Sequence, residues 1–267
     1  MTEIIFAIVV VAAIGLICGL ILVIASKFME VKEDTRVTEV RECLPGANCG
    51  ACGFTGCDGY AKALIENEGT PTNLCTPGGA EVAKKISEKL GVEFADVEKA
   101  VAYVHCHGDC SATKVKYNYE GISTCAGAKM LFSGNWACTH SCIGLGDCAL
   151  ACPSNAILIR DGIAHVDPHK CTGCGLCTKT CPNSLITLYS AKKQVVVACN
   201  STDKGAVTRN VCTNGCIGCK KCEKTCPSGA ISVQDNLARV DSEKCTACGL
   251  CAEACPIGCI KIADFTA

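Results

Sequence analysis

The feature that most constrains this chain is a cysteine pattern that repeats at an offset of 74 residues. Moving the sequence by that offset places nine cysteines of residues 125–181 on nine cysteines of residues 199–255. The intervening sequence matches as well, since Pro153 and Ser154 fall on Pro227 and Ser228. A repeat of this length defines a structural unit. We therefore predict two copies of one small domain.

The copies carry the cysteine run C-x2-C-x2-C-x3-C-P, which is that of bacterial ferredoxins. In such a run, three thiolates bind one [4Fe–4S] cluster and the fourth binds the neighbouring cluster. Closely spaced cysteines can instead bind zinc, but full runs that end in Cys-Pro favour iron–sulfur clusters. The three runs comprise Cys171, Cys174, Cys177 and Cys181; Cys216, Cys219, Cys222 and Cys226; and Cys245, Cys248, Cys251 and Cys255.

Composition favours metal sites in a reducing compartment over disulfides. The 267 residues include 28 cysteines, whereas aromatic residues make up only 4% of the chain. Regular C-x2-C spacing is typical of metal binding. We expect clusters to replace much of the core, so that folding depends on them. Predicted hairpins, residues 156–159 with 163–166 and residues 231–233 with 237–240, make the fold class α+β.

An uncharged apolar segment, Ile4–Ala25, predicts one transmembrane helix near the N-terminus. Its 22 residues span roughly 33 Å as a helix, enough to cross a bilayer and contact membrane lipid. A cleaved signal peptide is the alternative, although no Lys or Arg precedes the segment. Lys27 and Arg36 follow it, so we expect a single-pass protein of the cytoplasmic membrane with its C-terminal domains in the cytoplasm. Gly15 and Gly19 form a G-x-x-x-G pair suited to a partner helix.

A separate group of four cysteines precedes the repeats. Cys49, Cys52, Cys57 and Cys75 are spaced x2, x4 and x17 and are interleaved with glycines, which let backbone approach a cluster closely. This is not the ferredoxin spacing, so we predict a [4Fe–4S] site in a small domain of its own. The predicted organisation is an anchor at 1–26, a connector at 27–42, a four-cysteine domain at 43–78, a linking segment at 79–124, and ferredoxin-like modules at 125–198 and 199–267.

The ferredoxin pattern assigns ligands across paired runs. In the second copy, Cys255 is predicted to join the first three cysteines of the run that begins at Cys216. Cys226 is predicted to join those of the run that begins at Cys245. The corresponding predicted set of the first copy is Cys152, Cys171, Cys174 and Cys177.

One position of the first copy departs from the pattern, because Leu145 stands where the repeat, by comparison with Cys219, requires a cysteine. Cys138 is the natural substitute. The predicted ligand set is then Cys138, Cys142, Cys148 and Cys181. Four of the remaining cysteines are expected to hold a further cluster, or some are free thiols, and the repeat does not decide which. These are Cys106, Cys110, Cys125, Cys199 and Cys212. The chain should thus carry about six [4Fe–4S] clusters.

A membrane helix, a C-x2-C-x4-C-x17-C unit and tandem ferredoxin modules, in this order, resemble the B subunit of the Rnf complex in its longer, cluster-rich form. The resemblance covers essentially the whole chain. It implies a membrane-bound translocase that moves electrons from reduced ferredoxin toward NAD+ and couples this to Na+ or H+ transport. Soluble ferredoxin would be the donor, and other subunits would carry the flavins and the NAD site. In agreement, no G-x-G-x-x-G follows a predicted strand.

Two other functions remain open from the sequence. A polyferredoxin subunit of another membrane oxidoreductase, such as a hydrogenase, would share the repeats, although the four-cysteine unit disfavours it. A metal-binding regulatory or scaffold protein belongs to a different class, and zinc sites would leave it colourless. We predict no catalytic acid, base or nucleophile and no nucleic-acid partner, because electron transfer requires only that the clusters be placed and tuned.

Charge is unevenly distributed along the chain. The formal net charge is −1, yet residues 170–261 contain twelve Lys and Arg against six Asp and Glu. This local excess either offsets the negative charge of clusters or attracts an acidic partner.

Overall fold

The computed structural model describes residues 2–28, 34–67, 69–97 and 99–265 of the chain. The chain divides into two compact units, Met1–Glu39 and Val40–Ala267. The predicted anchor therefore falls in the first unit, and every cysteine predicted to bind a cluster falls in the second.

The first unit contains one long helix. Helix α1 (Thr2–Phe28) includes the apolar segment Ile4–Ala25, whose mean hydropathy is 3.2. Among the described residues it is the one helix long and apolar enough to cross a membrane. Its large apolar side chains are exposed, as Phe6 illustrates at 72%. Around Gly15 and Gly19, apart from the helix's own nearby backbone, no atom lies within 4 Å of the position that a Cβ would take, so the glycine pair leaves an open face.

The predicted connector is mostly helical in the part that the structure describes. Residues 29–33 of it lie outside the described part of the chain. Its C-terminal part is helical, because helix α2 (Thr35–Cys43) begins there. The Asp34 carboxylate accepts hydrogen bonds from the backbone N–H of Arg36 (3.0 Å) and from its guanidinium (2.6 Å). A carboxylate in this position satisfies free N–H groups and favours helix formation.

Two helices frame the first group of cysteines. Helix α3 (Cys57–Glu66) begins at the third cysteine of the group, and α4 (Gly79–Leu90) follows a 3-10 turn (Thr76–Gly78) directly after the fourth. The hydroxyl of the buried Tyr60 donates to the carbonyl of Pro71 (2.7 Å). This bond ties α3 to the loop that leads to the fourth cysteine.

Eight short strands among the described residues form four two-stranded antiparallel sheets. Both predicted hairpins are confirmed. They turn at Asp161 and Gly162 (φ 51° and 78°) and at Asp235 and Asn236 (φ 47° and 62°), and a positive φ at both central residues is typical of tight hairpin turns. The strands are β1 (Ala100–Val104), β2 (Ile157–Arg160), β3 (Ile163–Val166), β4 (Ile186–Ser190), β5 (Lys193–Val197), β6 (Ile231–Gln234), β7 (Leu237–Val240) and β8 (Ile260–Asp264).

The remaining two sheets join the first and last strands of each copy. β1 pairs with β4, and β5 pairs with β8. β1 lies inside the predicted linking segment 79–124, and β5 precedes the predicted boundary at residue 199. Each copy therefore begins at a strand that lies before its first cysteine. The repeat does not reveal β1, because residues 105–124 separate it from Cys125 and have no counterpart after β5.

Six short helices lie in the two copies: α5 (Cys125–Met130), α6 (Asp147–Leu150), α7 (Leu176–Thr180), α8 (Gly205–Val211), α9 (Lys221–Thr225) and α10 (Leu250–Glu253). Four of them, α6, α7, α9 and α10, carry a cysteine that lies in mid-run. Each of these four follows a residue in the left-handed conformation. That residue is Gly146, Gly175, Lys220 and Gly249, respectively.

Each copy has its own core, and cysteines form part of it. In the first core, Val104, Ile157 and Leu185 pack with cysteine side chains, and Val197 and Ile231 do so in the second. The thiols occupy places that larger apolar residues fill in other small domains. This arrangement agrees with the low aromatic content of the chain.

An aromatic cluster joins the two copies. The ring of Phe265, after β8, stacks on Tyr189 of β4, with 6.0 Å between the ring centroids. It also meets the ring of Tyr103 of β1 edge-on, at 6.2 Å. Val101 and Val196 are buried in the same cluster. The contact fixes one copy against the other and so positions the cysteines between them.

Candidate metal centres

The cysteines converge in groups of four. Of the 28 cysteines, 24 fall into six such groups. We call them sites A to F, so that sites with successive letters are neighbours in space. Site A comprises Cys49, Cys52, Cys57 and Cys75; site B Cys152, Cys171, Cys174 and Cys177; site C Cys125, Cys142, Cys148 and Cys181; site D Cys106, Cys138, Cys199 and Cys212; site E Cys216, Cys219, Cys222 and Cys255; and site F Cys226, Cys245, Cys248 and Cys251. The other cysteines are Cys18, Cys43, Cys110 and Cys259.

Sites C, D and E each surround a cavity. The empty volumes are about 360, 320 and 310 Å³, respectively, so the three cavities are similar in size. Among the described residues, no three His, Cys, Asp or Glu side chains are close enough to share a single metal ion. Zinc requires four ligand atoms at about 2.3 Å. Thiols arranged around a larger space fit a polynuclear cluster better, and soft thiolates are the ligands that iron–sulfur clusters select.

In the other three sites, the four thiols lie close enough together to shift the pKa of one of their members. At site A, burial raises the pKa of Cys75, and the three other thiols of the site raise it further. At site B, burial and the three other thiols raise the pKa of Cys177 to about 11. At site F, burial and the three other thiols of the site raise the pKa of Cys251. Because iron binds thiolates, loading these sites must displace protons.

In the structure, the fourth cysteine of each paired run lies with the first three cysteines of the other run, as predicted. Cys226 lies with the run that begins at Cys245, and Cys255 lies with the run that begins at Cys216. In the first copy, Cys152 lies with the run that begins at Cys171. Four thiols from distant parts of the chain thus meet at each of these sites.

The predicted grouping of Cys138 with Cys142 is wrong. Cys125 completes site C, and Cys138 instead lines the cavity of site D. The Asp147 carboxylate explains the first change, because it accepts hydrogen bonds from the backbone N–H groups of Cys125 (2.9 Å) and Ala126 (3.0 Å). These bonds hold the start of α5 against α6. The side chain of Cys125 therefore provides the fourth thiol of site C, which Leu145 cannot provide.

Two backbone bridges explain why Cys138 turns to site D. Thr113 pairs with Cys212, and Val115 pairs with Trp136. The segment 113–115 therefore lies between the two cysteine segments and draws Cys138 toward Cys212. Burial raises the pKa of Cys138 to about 11, and the thiols of Cys199 and Cys212 add to the effect. Cys138 and Cys212 are equivalent in the repeat, a relation from which their pairing could have been found.

Two cysteines outside the six sites bear on the predictions. Cys110, one of five candidates for the further cluster, is exposed and joins no site. Cys259 was not predicted, yet it lines the cavity of site E with its Sγ 3.6 Å from that of Cys255. A hydrogen bond with Cys216, together with burial, raises the pKa of Cys259, so this thiol stays protonated. Comparison of the runs could have revealed Cys259, because it stands four positions after a fourth cysteine. The residues at this position in the other runs are Ala156, Leu185 and Ala230, which have no thiol.

Backbone N–H groups point at thiol sulfurs of the sites. The N–H of Ala156 donates to Sγ of Cys152 (3.3 Å), and that of Leu185 donates to Sγ of Cys181 (3.5 Å). Such bonds satisfy a ligand thiolate and are one means by which proteins tune iron–sulfur clusters. The donor set and its surroundings therefore fit this kind of group.

Sites A, B and C adjoin one another. Thr76, next to Cys75 of site A, donates a hydrogen bond to the carbonyl of Gly173 (3.5 Å), which precedes Cys174 of site B. Sites B and C share the first copy, and the pKa of Cys148 at site C is raised, after burial, by thiols that include one of site B.

Site D connects the two copies. The N–H of Cys142 at site C donates to Sγ of Cys106 at site D (3.4 Å). On the other side, the N–H of Cys216 at site E donates to Sγ of Cys199 at site D (3.2 Å). The two donors are equivalent in the repeat, so site D receives the same contact from each copy. Sites E and F then share the second copy, and the six sites form one succession from A to F.

Comparison with known protein families identifies the domains. The profile of an Fe-S cluster family matches residues 44–77, which contain site A. Three profiles described as 4Fe-4S dicluster domains match residues 141–185, 170–231 and 209–262. The chain therefore contains domains of the kind that bind [4Fe–4S] clusters.

Curated relatives align with most of the chain. The B subunit of the proton-translocating ferredoxin:NAD(+) oxidoreductase complex of Clostridium ljungdahlii is 43% identical over 90% of this chain and 85% of its own length. The B subunit of the Na(+)-translocating complex of Acetobacterium woodii is 40% identical over 86% of this chain and 69% of its own length. The B subunit of the ion-translocating oxidoreductase complex of Methanosarcina acetivorans is 44% identical, over 89% and 90%. The chain belongs to the Rnf B family.

Membership of the Rnf B family confirms the resemblance drawn from the order of the motifs. The chain is an electron-transfer subunit of an ion-translocating oxidoreductase complex. The three relatives match nearly the full chain, so the family relation extends beyond the ferredoxin repeats, which many unrelated proteins share.

Proposed function

We propose that this Rnf B protein accepts electrons from a soluble ferredoxin and relays them through six [4Fe–4S] clusters to membrane partners that carry flavin and the NAD site. The complex as a whole would reduce NAD+ and transport Na+ or H+. The single observation that carries the proposal is the succession of six sites of four thiols each, in which neighbouring sites are joined by a hydrogen bond or share a packed core. The names of the relatives support the donor and the acceptor.

In this proposal the 24 cysteines of sites A to F are the cluster ligands. A bound cluster supplies one-electron redox chemistry. The protein holds the thiols around each space, buries twelve of the 24 cysteines and leaves two exposed, and donates hydrogen bonds to their sulfurs. It needs no acid, base or nucleophile, because spacing and tuning of the centres are sufficient for electron transfer.

The proposed organisation follows the fold. Helix α1 anchors the protein in the cytoplasmic membrane, a small domain holds site A, and two ferredoxin-like modules begin at β1 and β5. Exposed apolar side chains along α1 support the anchor, because burying such a surface in lipid removes a large hydration cost. The positive residues after the apolar segment support a cytoplasmic location of the modules.

The experiment is purification of the complex from native membranes under anaerobic conditions, with iron counted per copy of this chain after the other subunits are removed. We expect about 24 Fe, or four per site, together with bleaching of the brown colour by reduced ferredoxin. Zinc as the main metal, or a complex that ferredoxin does not reduce although a small viologen radical does, would contradict the proposal.

A further inference from the structure

We propose that Lys220, Lys221 and Lys224 form the docking surface on which an acidic, soluble one-electron carrier delivers electrons to site E. The inference rests on the proposed function and adds the place where electrons reach the relay. We call these three residues the lysine surface.

Exposure restricts the candidates to the second copy. Among the site cysteines in the described part of the chain, only Cys219 of site E and Cys248 of site F are exposed. In the first copy, Cys174 is half-buried next to the Gly173 carbonyl, to which Thr76 donates a hydrogen bond. A soluble carrier can therefore come closer to sites E and F than to sites A to D.

Charge distinguishes site E from site F. Between its first and fourth cysteines, the run of site E has three exposed lysines and one acidic residue, the half-buried Glu223. The equivalent stretch of the run that begins at Cys245 has one charged residue, the exposed Glu253. An acidic carrier is thus attracted to the exposed thiol of site E and repelled from that of site F.

The backbone of Lys220 gives an independent argument. Lys220 has φ 59°, a left-handed conformation that disfavours residues with a Cβ, and Gly146, Gly175 and Gly249 occupy the three equivalent positions. The fold alone favours glycine there. Strained residues cluster at functional sites, and this one lines the cavity of site E directly after Cys219.

The lysine surface is compact. The backbone N–H of Lys224 donates to the carbonyl of Lys220 (3.2 Å), so Lys224 follows one helical turn after Lys220, the residue that directly precedes α9. Lys221 begins that helix. Positive charge concentrated beside one exposed ligand thiol both steers an acidic carrier and orients it over site E.

The test uses the full-length, cluster-loaded chain and the triple variant K220G/K221L/K224E. These replacements are the residues at the equivalent positions Gly249, Leu250 and Glu253, so the local fold already accommodates them. K220G by itself should relieve backbone strain and leave the protein at least as stable. The matched pair is K224E and K179E, because Lys179 occupies the equivalent exposed position beside site B.

The measurement is the second-order rate constant for reduction by an acidic plant-type [2Fe–2S] ferredoxin, followed by stopped-flow absorption. At an ionic strength of about 0.01 M, where the Debye length is about 30 Å, we expect the triple variant to react at least about tenfold more slowly than the wild type. K224E should also slow the reaction, whereas K179E should stay within about twofold. At about 1 M salt the differences should vanish. Reduction by a viologen radical cation should not slow in any variant.

Several outcomes would overturn the inference. Equal rates for K224E and K179E, or a triple variant as fast as the wild type at low salt, would show that carriers dock elsewhere. A triple variant that loses only binding to anionic lipid vesicles would assign the lysines to the membrane surface. A wild-type protein that the viologen radical reduces but the ferredoxin does not would instead contradict the proposed function, and the inference with it.

Discussion

Exchange of Cys138 for Ala tests the grouping of the sites in the most direct way. In the structure Cys138 shares site D with Cys106, whereas the spacing along the chain groups it with Cys142. Removing one of four ligands should empty that site, so the single variant should hold about 20 Fe in place of about 24. Alanine is preferable to serine because its side chain offers no oxygen ligand.

Paired variants turn the grouping into a difference in iron content. C106A/C138A removes two ligands of one site and should still hold about 20 Fe, whereas C138A/C142A affects two sites and should hold about 16 Fe. The comparison follows double-mutant logic, since losses at one site do not add and losses at separate sites do. The assay is anaerobic iron and sulfide analysis of protein loaded to completion, with far-UV circular dichroism to show that the chain is folded.

The opposite pattern would refute the structural reasoning. If C106A/C138A held about 16 Fe and C138A/C142A about 20 Fe, Cys138 would belong to site C and Cys125 would be displaced from it. Site D also lies in the middle of the succession, so C138A in the intact complex should stop NAD+ reduction while ferredoxin still reduces sites E and F. Undiminished NAD+ reduction with site D empty would show that electrons bypass it.

Three further predictions follow from the geometry. C226A should abolish the EPR signal of site F and spare that of site E, because the thiol of Cys226 lies with the run that begins at Cys245; loss of the signal of site E instead would contradict the crossed pattern. C259A should keep four irons at site E but lower its reduction potential in EPR-monitored titration, since a protonated thiol 3.6 Å from Sγ of Cys255 donates a hydrogen bond that favours the reduced cluster; an unchanged potential would assign Cys259 to packing alone. Replacing Gly15 and Gly19 by Leu should preserve membrane insertion but weaken assembly of the complex, measured by co-purification, because the open glycine face suits a partner helix; full assembly would make the pair incidental.

The sequence alone determined the parts of the protein that depend on short spacing. Thiols with two residues between them converge on one site, so the runs beginning at Cys171, Cys216 and Cys245 could be assigned from their pattern. Asp161 and Gly162 fixed a hairpin in the same way, because both accept the positive φ that its turn requires. The apolar segment and the presence of [4Fe–4S] domains followed from features equally local, and the family followed from the order of these features along the chain.

Only the tertiary structure decided the contacts between distant segments. Cys125 reaches site C because Asp147 binds the start of its helix, and Cys138 reaches site D because residues 113–115 pair with two strand-like segments. Neither contact is visible in the cysteine spacing of one copy taken alone, and comparison of the copies shows only that Cys138 and Cys212 are equivalent. Which thiols meet at one site depends on the backbone and side-chain hydrogen bonds that hold distant segments of the chain together. The spacing of cysteines determines which thiols meet when they are a few residues apart. When they are far apart in the sequence, the packing of the whole unit determines it.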